Sequence, residues 1–199
     1  MAESNTNNAS SIIKTGLILF AITAVAALAL AVVNNVTYPV IEKNDIEKTN
    51  MSMENVMKTA VEFVPTENDG QNDKTVSEIY TAKDGEGNVI GVCVCVSPNG
   101  YGGAIDMVVG VDKDSKVTGV DIINQSETAG LGANAVKPEF KDQYIGKSKI
   151  GKVVKNNVTD KKDDEINAIS SATITSKAVT SGVNTAIETA ERIMAKEVK

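Results

Sequence analysis

Five hydroxyl side chains lie within seven residues near the carboxyl end of this chain, in the segment SSATITS at positions 170–176. Apolar residues at helical spacing follow the segment, and one Ser or Thr is enough to cap the first turn of a helix. A helix start also offers unpaired N–H groups and a partial positive charge, which together bind phosphate. Two interpretations therefore stay open: surplus capping, or a phosphate site whose hydroxyl could enter a phosphate ester.

Two glycine-bearing segments could form the walls of a site for a flat polar ligand. Gly-Tyr-Gly-Gly at 100–103 lies between two predicted strands, and its missing Cβ atoms would let backbone approach a planar ring beside Tyr101. Glu-Thr-Ala-Gly-Leu-Gly at 127–132 supplies a carboxylate, a hydroxyl and two flexible backbone positions, a set that suits a polar heterocycle. Each segment alone is equally consistent with an ordinary turn or loop.

Two cysteines, Cys93 and Cys95, alternate with valines in the run VIGVCVCV. In a strand, residues i and i+2 point to the same face, and their Cα atoms lie about 7 Å apart, too far for an unstrained disulfide. We therefore expect two small buried side chains. A redox-active pair is the alternative.

Composition excludes several other chemistries. The chain has no histidine, which removes a Ser-His triad and a His zinc ligand, and two cysteines cannot fill a four-thiolate metal shell. Its 199 residues include 20 basic and 26 acidic side chains, a formal charge of −6 with no basic block. This balance disfavours nucleic acid as a partner. We expect neither a metal site nor nucleic-acid binding.

A stretch of 19 uncharged residues at 15–33 is long enough, as a helix, to cross the ~30 Å hydrocarbon core of a membrane. A cleaved signal peptide is the alternative, although its apolar region usually has only ~7–15 residues. Basic residues on the two sides are nearly balanced and do not set the orientation. We expect a cytoplasmic tail over 1–14, the anchor, a stalk with a helical lead-in over 34–75, and a domain over 76–199.

Short runs of β-branched residues between turn sequences predict a sheet. One pattern occurs twice: Asp84 with Val-Ile-Gly-Val at 89–92 recurs as Asp112 with Val-Thr-Gly-Val at 117–120. We interpret the repeat as two similar strand pairs in one curved, mainly antiparallel sheet. The predicted strands are 76–80, 89–96, 105–111 and 117–123.

Apolar residues at helical spacing predict a helix over 51–64, which Pro65 ends, and a long final helix. A short helix is predicted around Pro138, and 156–165 is expected to be a polar loop. These elements predict the α+β class, with helices flanking one sheet. The apolar stripe of the final helix comprises Val179, Val183, Ala186, Ile187, Ala190, Ile193 and Met194.

Three segments, GYGG, SETAGLGA and SSATITSKAV, follow the single membrane anchor in this order. Together they resemble the FMN-binding G subunit of the Rnf electron-transport complex, and the related C subunit of the sodium-pumping NADH:quinone reductase shares them. The resemblance runs from about Val76 to the carboxyl end, plus the anchor. It is specific because the segments occur together, and the short chain favours the Rnf member.

In that family a threonine side chain is joined to the phosphate of FMN by a phosphodiester bond, and the resemblance maps this acceptor onto Thr173. Ser171 stands where the family more often has Gly, Ala129 where it has Pro, and Asn167 where an acidic residue is common. The cofactor-binding residues implied by the resemblance are Thr173, Ser170, Ser171, Ala172, Ile174, Thr175, Glu127, Thr128, Gly130, Leu131, Gly132, Tyr101, Gly102 and Gly103.

The resemblance implies an electron-relay subunit of a membrane complex that passes electrons between ferredoxin and NAD and transports Na⁺ or H⁺. The implied partners are the other subunits of the complex and a flavin-attaching transferase, with the domain on the extracytoplasmic side. On the residues alone, two other classes stay open: an anchored module that holds a phosphorylated ligand reversibly, and an assembly subunit without a cofactor.

Overall fold

The computed structural model of the chain describes residues 4–67, 74–155 and 162–197. It divides into two units, residues 1–47 and 48–199. The helix α1 (Ser4–Val56) accounts for the whole described part of the first unit. It continues past residue 47, and its last residues, 48–56, are part of the second unit. By length and composition this helix could cross a membrane, and its large apolar side chains from Ile12 to Met51 are exposed. The polar stretch after the anchor, expected as a stalk, is helical as far as Val56.

The second unit is built on a five-stranded antiparallel sheet with the strands in chain order. A three-residue parallel pair, β6 (Lys152–Val154) and β7 (Glu165–Asn167), lies apart from it. The strands are β1 (Glu62–Pro65), β2 (Val76–Lys83), β3 (Val89–Val96), β4 (Asp106–Asp112), β5 (Val117–Asn124), β6 (Lys152–Val154) and β7 (Glu165–Asn167). The helices are α2 (Pro138–Lys141), which lies between two 3₁₀ turns, and the long α3 (Thr173–Glu197). The predicted α+β class and the mainly antiparallel sheet are confirmed.

The sheet carries a hydrophobic core on each face, since successive side chains of a strand point to opposite sides. Valines of β3 and β4, such as Val94 and Val109, belong to the core that includes the stripe of α3. The predicted stripe is confirmed, because all its members except the half-buried Met194 are buried. The opposite face packs Cys93 and Cys95 against Met53 at the end of α1.

The two cysteines are reduced and buried, as small hydrophobic side chains are. Burial raises the pKa of both thiols to about 12; the neighbouring cysteine adds to the shift at Cys93, and Glu78 adds to it at Cys95. A reactive pair requires thiolate at neutral pH, which this environment suppresses. The structure therefore supports the structural interpretation of the pair.

The repeated sequence pattern corresponds to the same turn built twice. Asp84 Oδ1 accepts hydrogen bonds from the backbone N–H groups of Glu86 and Asn88, and Asp112 Oδ1 accepts them from Asp114 and Lys116. Each turn also contains one residue with positive φ, Gly87 (83°) and Ser115 (60°). The β2–β3 and β4–β5 hairpins are thus equivalent units, as the repeat predicted.

The predicted helix over 51–64 is wrong beyond Val56. There α1 ends, because the Thr118 hydroxyl donates a 2.6 Å hydrogen bond to the Val56 carbonyl and Val56 packs against Gly119. After a turn the chain becomes β1, which pairs with β2 through Phe63 and Val64. Pairing across the sheet overrides the helical spacing here, and Pro65 is tolerated at the end of an edge strand.

The remaining element predictions concern the segments between β5 and α3. The short helix is confirmed, with Pro138 at its first position, where proline costs no hydrogen bond. The expected loop over 156–165 falls largely outside the described residues, and Glu165 already belongs to β7.

Candidate functional site

A cleft of about 500 Å³ opens beside the first turn of α3. Its volume lies in the range of ~300–1,000 Å³ that is typical of small-molecule sites. The turn before β4, the loop after β5 and the start of α3 supply its walls. The lining residues are Tyr101, Glu127, Thr128, Leu131, Gly132, Ser171, Ala172, Thr173, Ile174 and Thr175. The structure thus brings together the three segments that the sequence analysis selected.

Thr173 is the first residue of α3, and its side chain is exposed in the cleft wall. The first hydrogen bond of the helix runs from the Ser176 N–H to the Ala172 carbonyl at 3.0 Å. The N–H groups of the preceding helical residues therefore have no partner within the helix and carry the positive end of its dipole. A phosphate beside Thr173 would meet these donors.

The other hydroxyls of the first turn are already engaged. Thr175 is 1% exposed and donates to Glu127, and Ser176 is fully buried. The Ser176 hydroxyl accepts from the Ile169 N–H and donates to the Ala172 carbonyl, both at 2.9 Å. Ala172, which precedes the helix, has no hydroxyl, so no side-chain oxygen caps the helix from that position. The role of Ser176 was not predicted, although serine often bonds to a carbonyl four residues earlier.

Ser171 occupies a turn closed by a 3.0 Å hydrogen bond from the Ala172 N–H to the Ile169 carbonyl. Its φ of 58° lies in the left-handed region, which favours glycine over residues with a Cβ. Glycine would adopt this conformation without the strain that a Cβ brings. The turn reverses the chain so that α3 begins at the cleft.

Glu127 is the central polar residue of the site and is only 8% exposed. Its Oε1 accepts a 2.8 Å hydrogen bond from the Gly102 N–H, and its Oε2 accepts a 2.5 Å hydrogen bond from the Thr175 hydroxyl. One carboxylate therefore joins the glycine-rich turn, the loop after β5 and the start of α3. Hydrogen bonds to a charged acceptor are stronger than neutral ones, so these contacts fix the relative positions of the three segments.

The glycines around the site leave space for this carboxylate. A Cβ added at Gly100 would overlap Oε1 of Glu127, and one at Gly132 would overlap Oε2. A Cβ at Gly102 would overlap the Ser126 carbonyl. From the sequence, the missing Cβ atoms were expected to admit a flat ligand. In the structure, those of Gly100 and Gly132 admit Glu127.

Four of the predicted residues lie beside the cleft and not in its lining. Gly102 contributes its N–H to Glu127, and Gly103 follows it with a φ of 145°. Gly130 and Ser170 line a neighbouring cleft of about 480 Å³. These residues shape the backbone around the site.

The cleft has an apolar mouth and no cation in its lining. Tyr101, Leu131 and Ile174 are 72%, 40% and 56% exposed, which is unusual for three large apolar side chains around one opening. Neither Lys nor Arg occurs among the lining residues in the part of the chain that the structure describes. The Lys147 ammonium donates to the Asp163 carbonyl, away from the cleft. The site therefore offers apolar walls for a ring and backbone dipoles for an anion.

Comparison with known proteins agrees with this geometry. The family described as "FMN-binding domain" matches residues 100–188, which contain all three segments, and the family described as "RnfG N-terminal region" matches residues 1–56. The C subunit of the Na⁺-translocating NADH-quinone reductase from Parabacteroides distasonis has a solved structure similar in fold. Its TM-score is 0.50 at 23% identity, with 66% of this chain and 76% of that one covered.

Two relatives extend over most of the chain. The G subunit of the Na⁺-translocating ferredoxin:NAD⁺ oxidoreductase complex of Acetobacterium woodii is 39% identical over 189 residues, 89% of this chain and 90% of the relative. The G subunit of the proton-translocating ferredoxin:NAD⁺ oxidoreductase complex of Clostridium ljungdahlii is 35% identical over 82% of this chain and 83% of its own length. The chain therefore belongs to the family of G subunits of the ion-translocating Rnf oxidoreductase complexes, and it contains an FMN-binding domain.

Proposed function

We propose that this chain carries covalently bound FMN and relays electrons within a complex that couples electron transfer between ferredoxin and NAD to ion translocation. The observation that carries the proposal is the cleft itself, since three distant segments of an FMN-binding domain meet beside one exposed threonine. The relatives' complexes are named for the ferredoxin:NAD⁺ reaction. The flavin would supply the electron chemistry, and the protein supplies binding, orientation and electrostatics.

The residues present fit FMN in both size and chemistry. The cleft volume suits a small-molecule cofactor, and the exposed side chains of Tyr101, Leu131 and Ile174 offer apolar surface to a planar ring. The unpaired N–H groups at the start of α3 suit the phosphate, for which the lining residues offer no cation among the residues described. Glu127 and Thr128 would face the polar edge of the ring.

Thr173 is the proposed attachment point. In net terms the Thr173 oxygen would form a bond to phosphorus while its O–H bond and one P–O bond of the FMN phosphate break. The phosphate becomes a phosphodiester, and the hydrogen and oxygen released are together one water. Thr173 is exposed in the cleft, whereas Thr175 is buried and its hydroxyl is bonded to Glu127. A flavin-attaching transferase can therefore reach the first hydroxyl and not the second without unfolding the helix start.

Denaturation tests both the cofactor and its bond. The full-length protein, produced with its transferase and run on a denaturing gel, is expected to keep flavin fluorescence, and Thr173→Ala is expected to lose it. Thr185→Ala, also on α3 but outside the cleft, is the matched control and should keep it. Flavin that leaves the wild-type protein in denaturant would instead support an anchored module with a reversible phosphorylated ligand.

We also propose the arrangement in the membrane. The apolar helix over 15–33 would anchor the chain, and residues 1–14 would stay in the cytoplasm. Residues 34–75 would form a stalk and lead-in, whose part from residue 48 on already belongs to the second unit, and the FMN-binding domain over 76–199 would lie outside. A covalent bond suits that side, because a lost cofactor could not readily be replaced there. Protease added to intact spheroplasts should digest the domain. Protection there, with digestion in inverted vesicles, would place it inside.

A further inference from the structure

We propose that Glu127 is a positioning residue whose buried negative charge also holds the reduction potential of the flavin low. The inference rests on the proposed function, because it requires FMN in the cleft. It concerns a property that the cofactor's presence alone does not determine: how readily the bound flavin accepts electrons.

The hydrogen bonds of Glu127 are those of an ionised carboxylate. Oε1 accepts from the Gly102 N–H at 2.8 Å and Oε2 accepts from the Thr175 hydroxyl at 2.5 Å. An ionised carboxylate is an acceptor at both oxygens, which matches the Gly102 N–H and the Thr175 hydroxyl that approach them. Donors of this kind stabilise the charged form in a buried position.

Within the described residues no ammonium or guanidinium neutralises this charge. Neither the Lys43–Glu47 nor the Lys141–Asp121 ion pair involves Glu127, and the described lining of the cleft contains no Lys or Arg. The side chain lines the cleft at 8% exposure, so little water lies between its charge and a ligand in the cleft. A charge is felt more strongly across such a poorly solvated site than through bulk water.

The negative charge of Glu127 in the cleft lining would oppose reduction of the flavin. FMN that accepts two electrons and one proton from solution gains one negative charge on its ring, and the electrons come from whichever reductant the flavin meets. Repulsion between that charge and the Glu127 carboxylate raises the free energy of the reduced form. The potential is therefore lower than it would be beside a neutral residue of the same shape.

Glutamine is the variant that separates charge from shape. In Glu127→Gln the amide oxygen can still accept from Gly102, and the amide N–H₂ can donate to the Thr175 hydroxyl, which is able to accept. The space left by Gly100 and Gly132 stays filled. A purely structural role predicts no change in potential in this variant.

The test is a redox titration of the full-length flavoprotein at pH 8, with dithionite as reductant and flavin absorbance as readout. Glu127→Gln is expected to shift the reduction equilibrium about tenfold toward reduced flavin, a positive shift of about 30 mV for a two-electron couple. Glu188→Gln removes the same charge from an exposed position on α3 and should leave the potential unchanged. A Glu127→Gln potential equal to that of the wild type would overturn the inference, whereas a wild type without titratable flavin would overturn the proposed function.

A second variant applies if Glu127→Gln does not fold with flavin. Thr175→Val removes the donor to Oε2 and keeps the carboxylate, so the charge loses part of its screening by the hydroxyl dipole. The expected shift is then negative. A potential that is unchanged or more positive in Thr175→Val would contradict the charge-based account.

Discussion

The carboxylate of Glu127 and the hydroxyl of Thr175 form a 2.5 Å hydrogen bond across 48 positions of sequence. The bond ties the loop after β5 to the first turn of α3, and it engages the hydroxyl that would otherwise compete with Thr173 for a phosphate. Because Thr173 lies two residues earlier on the same helix and is exposed, the bond explains how one threonine of the pair is structural and the other is available.

Replacing Ser171 by glycine should stabilise the protein. The left-handed conformation at φ 58° costs a residue with a Cβ roughly 1–2 kcal/mol, while glycine loses about 0.5–1 kcal/mol through its freer unfolded chain. The expected net gain in the free energy of unfolding of Ser171→Gly is about 0.5–1 kcal/mol, measured by thermal unfolding. Ser170→Gly, which has no left-handed conformation to relieve, should give no gain. A lower melting temperature for Ser171→Gly would contradict the left-handed conformation assigned to Ser171.

Gly132→Ala should disrupt the contacts of Glu127. The added Cβ would overlap both Glu127 Oε2 and the Thr175 hydroxyl, so one of the two must move. Overpacking of this kind costs about 1–3 kcal/mol. We expect a lower melting temperature and a smaller flavin content in the full-length protein. Gly85→Ala is the control, because its Cβ would meet only a Val61 methyl group at 4.0 Å. Equal behaviour of the two variants would argue against the packing role of Gly132.

Gly119→Ala should loosen the end of α1 from the sheet. A Cβ there would lie 2.9 Å from the Val56 Cα, which is too close. Because that Cα is a backbone atom, it cannot move aside as the end of a flexible side chain could. The hydrogen bond from Thr118 to the Val56 carbonyl would be strained at the same time. The expected cost is again about 1–3 kcal/mol. Faster hydrogen exchange confined to residues 52–60 would locate the damage, and exchange identical to the wild type would contradict this packing.

Cys93 and Cys95 should be inert toward alkylation in the folded protein. Burial raises the pKa of each from 9.0 to about 12, so thiolate is scarce at pH 8. Iodoacetamide followed by mass spectrometry should find both free in native protein and modified in urea. The folded state keeps its thiol protons up to a higher pH than the unfolded state does. The free energy of unfolding should therefore fall as the pH rises from about 9 to about 12. Rapid native labelling would revive the redox interpretation.

Local sequence patterns predicted β2 to β5 and α3 well, because their signals are local, but they did not predict β1, β6 or β7. The β-branched runs lie between Asp-centred turns, and the stripe from Val179 to Ile193 repeats at helical spacing. The helix over 51–64 failed because β1 forms only by pairing with β2, a contact that helical spacing within 51–64 does not reveal. The apolar spacing of this segment favours a helix, but the pairing of its end with β2 at the edge of the sheet makes that end a strand.

The sequence indicated three segments that the structure places around one cleft, but it did not indicate the hydrogen bonds between them. Glu127, Gly102 and Thr175 were each chosen singly, yet the hydrogen bonds that join them span 25 and 48 positions. No local pattern specifies which carboxylate fills the space beside a glycine. Those contacts follow from the packing of α3 on the sheet, which places the three segments around one cleft.

The most direct test is peptide mapping of the protein isolated from its native membrane under denaturing conditions. Cleavage after lysine should release residues 163–177, which contain Thr173 together with Ser170, Ser171, Thr175 and Ser176. We predict that this peptide carries the mass of one FMN less one water and that fragmentation places it on Thr173. An unmodified peptide in protein that contained FMN before denaturation, or a flavin on Thr175, would contradict the account.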